Sequence, residues 1–125
     1  MKSIHVVAAI IKKDNQYLIV QRNKNKHLGL KWEFPGGKVD ENESFESALK
    51  REIQEELSIE INIYKKIAEE TYKDEKIDII LHYYLSSQKN GTITLSEHEN
   101  LAWVEKKDFE KYDFAEGDGN ILSLL

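Results

Sequence analysis

The chain has 125 residues, 40% of them hydrophobic and 33% charged, and its formal net charge is −5. This length and balance predict one soluble globular domain over residues 1–125, and no apolar run approaches the roughly 20 residues that a membrane-spanning helix needs. The negative charge disfavours a nucleic-acid polymer as partner, and the absence of cysteine excludes disulfides and thiol chemistry, so we expect a cytoplasmic protein.

Alternating apolar and polar residues predict strands in both halves of the chain. In the N-terminal half, strands are expected over Ser3–Ile11 and Gln16–Arg22, a loop over Asn23–Leu30, and a turn at Pro35–Gly37. In the C-terminal half we expect four strands and two short helices: strands over Ile61–Tyr72, Ile77–Ser86, Thr92–Leu95 and Leu101–Val104, and helices over Lys107–Tyr112 and Gly119–Leu125. With one long helix between the halves, the pattern indicates a mixed α/β (α+β) chain.

The long helix is predicted over Ser44–Leu57, and three carboxylates lie near its C-terminal end. At 100° per residue, Glu52 and Glu56 fall on the apolar, core-facing side and Glu55 falls at its edge. Buried carboxylates are costly unless paired or bound to a metal, like charges four residues apart repel, and the C-terminal end of a helix is unfavourable for anions. Oxygen ligands of this kind favour Mg²⁺ or Mn²⁺. The alternative is a solvated acidic face with Arg51 and Lys50 as its partners.

The segment Gly37–Ile59 resembles the signature of the Nudix hydrolase superfamily, G-x5-E-x7-R-E-U-x-E-E-x-G-U, where U is a bulky apolar residue. Its matching positions are Gly37, Glu43, Arg51, Glu52, Ile53, Glu55, Glu56 and Ile59. One position departs, because Ser58 stands where the family has a glycine that helps the chain leave the helix. Nearly the whole chain is similar to the MutT-like branch, and the resemblance implies the Nudix α-β-α sandwich around a mixed β-sheet.

The resemblance also implies a metal site on this helix. Glu52, Glu55 and Glu56 would hold Mg²⁺, with Mn²⁺ as a substitute, and a backbone carbonyl at the glycine turn, that of Gly36, would be a further ligand. The alternative for this segment is an ordinary turn. In similar enzymes the position of Glu52 is often the one that orients or deprotonates water. Arg51 would hold the carboxylates in place.

Two further acids have open roles. Glu43 either pairs with Arg51 or complements the positive N-terminal end of the helix. Glu97 lies where MutT-like chains often carry another metal ligand or catalytic base, with Glu99 as its rival and a plain loop acid as the alternative. We expect His98 to be structural.

The resemblance places substrate contacts in the first third of the chain. Arg22 matches an arginine that binds substrate phosphate, which suits guanidinium geometry, and the alternative is a surface arginine at a strand end. His27 and Lys38 could add phosphate contacts. Phe34 could stack on the base, although core packing is the alternative for this ring, a role that suits Trp32 better.

Near the C-terminus, Asp118 lies where MutT-like enzymes have an Asn or Asp that reads the edge of the base. A carboxylate accepts a hydrogen bond from an exocyclic amine or a ring N–H, whereas an amide both donates and accepts. Asn120 is the rival in this glycine-rich stretch. For either residue, capping the last helix is the alternative.

We therefore expect an enzyme that hydrolyses (deoxy)nucleoside triphosphates to the monophosphate and pyrophosphate with Mg²⁺. Oxidised or cytidine nucleotides are the substrates that the resemblance implies, with a role in sanitation of the nucleotide pool. The partner is a small nucleotide, and the protein is a monomer or homodimer. The alternatives are hydrolysis of a sugar nucleotide or dinucleoside polyphosphate, and a non-catalytic nucleotide-sensing module. The intact box acids argue against the sensor.

Overall fold

A mixed β-sheet organises the chain in the computed structural model, which describes residues 3–115 and 117–125. Within these residues the sheet has seven strands: β1 (Ser3–Lys13), β2 (Gln16–Gln21), β3 (Trp32–Glu33), β4 (Gly36–Lys38), β5 (Glu60–Lys73), β6 (Asp78–Asn90) and β7 (Asn100–Glu105). The α-helix α1 covers Phe45–Leu57, and 3₁₀ helices cover Lys106–Lys111 and Asp118–Leu124. The expected mixed α+β architecture is confirmed.

The central strand is β1, which is buried on both faces. The strand order is β3-β2-β1-β6-β5, with β4 paired to β1 and β7 paired to β2. β1 runs parallel to β6 and antiparallel to β2 and β4. Val7 and Ala9 point towards α1, whereas Ala8 and Ile10 enter a second core on the other face. Burial on both sides explains why this strand is an uninterrupted apolar run.

Three buried apolar side chains, Leu49, Ile53 and Leu57, hold α1 against the sheet. Each contributes about 1.5–3 kcal/mol on burial. The helix begins after Ser44, whose hydroxyl accepts a hydrogen bond from the backbone N–H of Ser47 at 3.1 Å. It ends at Ser58, which takes the left-handed conformation with φ of 59°. Serine therefore adopts here the backbone geometry that the family glycine adopts at lower cost.

The layer opposite α1 consists of the two 3₁₀ helices, and α1 is the one α-helix among residues 3–115 and 117–125. Phe109 and Ile121 from these helices pack on Tyr83 of β6 and on Phe34. The segment between the helices is fixed to β3, because Trp32 donates its backbone N–H to the Asp113 carbonyl at 2.9 Å. These contacts bring the C-terminal segment next to the end of β3.

Two predicted elements differ in the structure. Thr92–Leu95 is not a strand, because its backbone bonds to the end of α1, with Thr94 donating to the Leu57 carbonyl at 2.9 Å. The apolar alternation of this segment reflects packing against the α1 core, which needs no strand partner. Gly36 and Gly37 do not form a free turn but belong to β4, paired with β1.

Within residues 3–115 and 117–125, no helix has the length and apolar character to cross a bilayer.

Candidate active site

The two glycines of β4 lie between β1 and α1. Residues on both sides of the two glycines bond to β1. Ala9 donates its backbone N–H to the Pro35 carbonyl at 2.8 Å, and Val39 donates its backbone N–H to the His5 carbonyl at 3.0 Å. Because antiparallel pairs alternate, the N–H and C=O of Gly36 face away from β1. A β-carbon on Gly37 would overlap the carboxylate of Glu52, so that carboxylate rests directly against the glycine backbone.

Glu56 is the most unusual carboxylate on α1. Its residue is 8% exposed, and its Oε1 has no hydrogen-bond partner among the residues that the structure describes. Burial first, and then the negative charge of Glu52, raise the pKa of Glu56 to about 9, while the backbone N–H of Gly36 acts in the opposite direction. Glu56 is therefore a buried acid beside a second acid, which is a costly arrangement in the protein alone.

Arg51 contacts three carboxylates near the site, those of Glu43, Glu52 and Glu55. It forms a bidentate pair with Glu43, with Nε–Oε2 at 2.8 Å and Nη2–Oε1 at 3.0 Å. Its Nη1 donates to Glu52 Oε1 at 3.0 Å, and its Nη2 donates to the Lys38 carbonyl at 3.0 Å. The pair with Glu43 is the main reason that the pKa of Arg51 lies above its usual value and that of Glu43 below it. Arg51 thus ties α1 to β4 and fixes the orientation of Glu52.

The predicted metal ligands do not all converge. No group of three or more His, Asp or Glu side chains within residues 3–115 and 117–125 is already arranged around a common point. Glu55 is largely exposed, and its Oε2 lies 3.3 Å from Arg51 Nη1, the same nitrogen that donates to Glu52. The donor chemistry still fits a divalent ion, because one buried Glu56 oxygen has no partner among the described residues and the missing side chain of Gly37 leaves room for the Glu52 carboxylate.

Glu33, which the sequence did not single out, and His98, which it assigned a structural role, lie next to Glu56. Glu33 on β3 binds Arg22 Nη1 through Oε1 at 2.8 Å and His98 Nε2 through Oε2 at 3.1 Å. The same His98 nitrogen is 4.0 Å from Glu56 Oε1. Arg22 also donates Nε to the His27 carbonyl at 2.8 Å. Glu33 therefore links the phosphate-binding candidate Arg22 to the carboxylates of α1.

A cavity of about 670 Å³ opens beside these groups. Its lining joins the β4 glycines, the end of β2, the β5–β6 hairpin and the segment after residue 114. Arg22, His27, Phe34, Gly36 and Asp118 all line it, so the structure brings these predicted site residues together. The size is that of a small-ligand site.

Asp118 is buried in the wall of this cavity. Its Oδ2 accepts the backbone N–H of Phe34 at 2.9 Å, and its Oδ1 accepts the Tyr83 hydroxyl at 2.5 Å. Burial raises the pKa of Asp118 to about 7, against the lowering effect of these two bonds. Asp118 makes no side-chain cap for the last 3₁₀ helix, whose N-cap is Gly117. The carboxylate is thus aligned by two donors at the cavity.

The remaining predicted residues occupy varied positions. The Phe34 ring belongs to the core with Phe109, so core packing accounts for most of its surface. Lys38 is exposed. Glu97 is exposed and lies 3.5 Å from Lys26. His27 and Asn120 are exposed and lie at the edge of the cavity. Glu99 is exposed in the loop before β7.

We expect Glu56→Leu to leave the fold intact in metal-free buffer and to stabilise it above neutral pH. The folded protein holds a proton on Glu56 up to about pH 9, whereas the unfolded chain releases it near pH 4.5, so wild-type stability falls as pH rises between these values. Leucine removes this loss and the buried charge. Urea unfolding at pH 5 and pH 8.5 measures the difference.

Glu52→Leu tests the same idea more weakly, because Glu52 bonds to Arg51, and we expect it to keep the fold as well. Glu46→Leu is the control, since Glu46 is exposed on the first turn of α1. A large drop in melting temperature for Glu56→Leu without metal would mean that this acid supports the fold.

A second expectation concerns the pH dependence at Asp118. The folded pKa of about 7 lies above the ordinary value of 3.8, so the folded state binds the extra proton and stability falls as pH rises from about 4 to 7. Asp118→Asn removes this dependence, because an amide does not titrate. It keeps both contacts, since the amide can accept from Phe34 and donate to Tyr83. Asp118→Ala leaves both partners without a bond and should cost about 1–3 kcal/mol for each.

Urea unfolding of wild type and Asp118→Asn at pH 4.5 and pH 7.5 tests this expectation. Equal pH slopes for the two proteins would show that the Asp118 carboxylate does not titrate in this range.

Comparison with known proteins shows similarity over the whole chain. The NUDIX domain model matches residues 1–125. CTP pyrophosphohydrolase of Escherichia coli (strain K12) is 37% identical over 125 residues, covering 100% of this chain and 93% of that protein. The 8-oxo-dGTP diphosphatase of Buchnera aphidicola subsp. Schizaphis graminum is 33% identical over 125 residues, covering 100% and 95%.

Solved structures resemble the fold over the same extent. The crystal structure of a MutT NUDIX hydrolase from Burkholderia pseudomallei has a TM-score of 0.88 and 26% identity, and covers 98% of both chains.

Proposed function

The chain belongs to the NUDIX family and is a pyrophosphohydrolase, and we propose that it hydrolyses nucleoside triphosphates to the monophosphate and pyrophosphate at the site beside Glu56. One observation carries the assignment of the site. The buried Glu56 carboxylate has one oxygen without a partner among the described residues, and it lies beside Gly36, which lines a cavity of about 670 Å³. Relatives named for nucleoside triphosphate substrates support the reaction.

We propose that Glu52, Glu55 and Glu56, with the carbonyl of Gly36, hold the divalent ion, Mg²⁺ or Mn²⁺. Their hard oxygen donors suit it, and the Gly36 carbonyl faces away from β1. When bound, the ion would stabilise negative charge on the phosphates and lower the pKa of water. Glu55 must leave Arg51 to join this set.

Arg51 and Glu52 would share the work of orientation. Arg51 holds Glu52 against the Gly37 backbone, and we propose that Glu52 orients the attacking water. Glu97 remains a proposed further acid from the loop before β7. Its position beside Lys26 requires this exposed side chain to turn before it can contact substrate phosphates or metal.

The substrate would lie along the cavity. We propose that Arg22, with His27 and Lys38, contacts phosphate and that Phe34 and Asp118 lie beside the base. Arg22 is preorganised by Glu33, and each Asp118 oxygen keeps a second lone pair for a base donor. Small nucleotides in the cytoplasm, rather than nucleic-acid polymers, are the substrates that a net charge of −5 favours.

A panel of nucleoside triphosphates, sugar nucleotides and dinucleoside polyphosphates tests the proposal, with Mg²⁺ and with resolution of pyrophosphate from orthophosphate. We expect pyrophosphate and a monophosphate from nucleoside triphosphates. Faster turnover of a sugar nucleotide or dinucleoside polyphosphate would replace the substrate class. The same panel with Asp118→Asn and Asn120→Ala shows which of these residues affects the choice of base.

A further inference from the structure

Among residues 3–115 and 117–125, four carboxylates line the cavity: Glu33, Glu70, Asp74 and Asp118. Three of them are engaged. Glu33 and Asp118 are held by the contacts described above, and Asp74 Oδ1 accepts the backbone N–H groups of Lys76 and Ile77, each at 2.8 Å. The Glu70 carboxylate forms no hydrogen bond or ion pair with another of residues 3–115 and 117–125, although its backbone belongs to the β5–β6 pair.

The position of Glu70 gives it access to the inside of the cavity. It lies on β5, pairs in register with Leu81 of β6 and is half-buried. Leu81 and Ile79 line the same wall, so the carboxylate has apolar neighbours. The pKa of Tyr83 lies above its usual value, first because of burial, then because of Asp118 and then because of the negative charge of Glu70.

Basic side chains line a different part of the cavity. Arg22 and His27 lie in the segment after β2, and β1 and β6 separate β2 from β5 in the sheet order. Arg22 is already paired with Glu33. The Glu70 wall therefore has an acceptor that no described cation neutralises, and an ionised carboxylate can only accept hydrogen bonds.

We propose that Glu70 determines base specificity by accepting a hydrogen bond from the exocyclic amine of the substrate base. Bases with an amine at this edge, as in cytosine, are favoured over bases with a carbonyl there, as in uracil. A carbonyl would place two acceptors face to face and leave both without a donor. This inference rests on the proposed function, which places the phosphates near Arg22 and the base beside Asp118. The inference adds that the amine edge of the base faces Glu70.

The test compares kcat/KM for CTP, UTP and dCTP in wild type, Glu70→Gln and Glu69→Gln. CTP and UTP differ in the amine or carbonyl at one ring position, and dCTP lacks the ribose 2′-hydroxyl, which is another donor. The amide of glutamine keeps the size of Glu70 but can donate to a carbonyl. Glu69 is the matched control, because it lies on the other face of β5, paired in register with His82 and bonded to Lys66.

We expect the wild type to prefer CTP, and Glu70→Gln to lower the CTP/UTP ratio of kcat/KM by about tenfold or more. Glu69→Gln should keep the wild-type ratio. A ratio within twofold of wild type in Glu70→Gln overturns the inference. So does a change confined to the CTP/dCTP ratio, which would make the ribose hydroxyl the donor.

A binding measurement separates this inference from the proposed function. If the wild type turns over no nucleoside triphosphate, the proposed function fails, and calorimetric Kd values for CMP and UMP then decide the role of Glu70. Loss of a CMP preference in Glu70→Gln supports that role, and equal ratios in the two proteins reject it.

Discussion

Glu56→Gln is expected to lower kcat by roughly 10²–10³-fold and to abolish tight binding of Mg²⁺ or Mn²⁺. Glutamine has nearly the shape of glutamate, so the buried position on α1 stays filled. The substitution removes the negative charge that a divalent ion needs from its ligands. The loss should therefore appear in metal affinity and turnover. The unfolding midpoint without metal should stay at or above that of wild type, because glutamine, like leucine, cannot ionise in the buried position.

Glu46→Gln is the matched control for this variant. Glu46 is an exposed glutamate of the same helix, in the first turn, away from the carboxylates near Gly36 and Gly37. It should keep wild-type turnover and Mn²⁺ affinity, both measured at one pH. Turnover within about twofold of wild type in Glu56→Gln would refute the metal-site assignment.

The inward direction of the α1 acids could be predicted because it depends only on helical period. At 3.6 residues per turn, Glu56 falls with Leu49 and Ile53, and all three are buried. Glu55 falls at the edge and is exposed. No other element needed to be known for this result.

The partners of Glu56 could not be predicted in the same way. Glu33 and His98 are 65 residues apart, and they meet because β2 pairs with both β3 and β7. The contact between Tyr83 and Asp118 likewise depends on how the C-terminal segment is bound to β3. Strand order and register are set by the whole sheet, and local alternation in one strand does not contain them.

The Gly36–Gly37 pair shows the same difference between local and tertiary information. Proline followed by two glycines is a turn signal, but in the structure both glycines lie in β4. Their small size is needed against β1 on one side and Glu52 on the other. The two positions should therefore respond differently to the same substitution.

Gly36→Ala is expected to destabilise the protein by about 3 kcal/mol or more. The added β-carbon would overlap the carbonyl oxygen of Val7 and lie 2.8 Å from the Cα of Ala8. Both are backbone atoms of the central strand, so relief requires β4 to move away from β1. Urea unfolding measures the loss. Gly119→Ala is the control, because the atom nearest to its added β-carbon would be the β-carbon of Phe114, at 3.8 Å.

Gly37→Ala is expected to spare the fold and to lower kcat by roughly 100-fold. Here the three atoms nearest to the added β-carbon all belong to the carboxylate of Glu52, the far end of a flexible side chain, and that group can turn away. The backbone of Gly37 has no positive φ, so alanine adds no strain there. Stability should change by less than about 1 kcal/mol, whereas a displacement of Glu52 by about 1 Å is enough for the loss of rate. Wild-type kcat in Gly37→Ala would show that the place of Glu52 against this glycine is not needed for catalysis. A loss of stability equal to that of Gly36→Ala would show that the Glu52 side chain cannot move, and that Arg51 holds it as firmly as backbone.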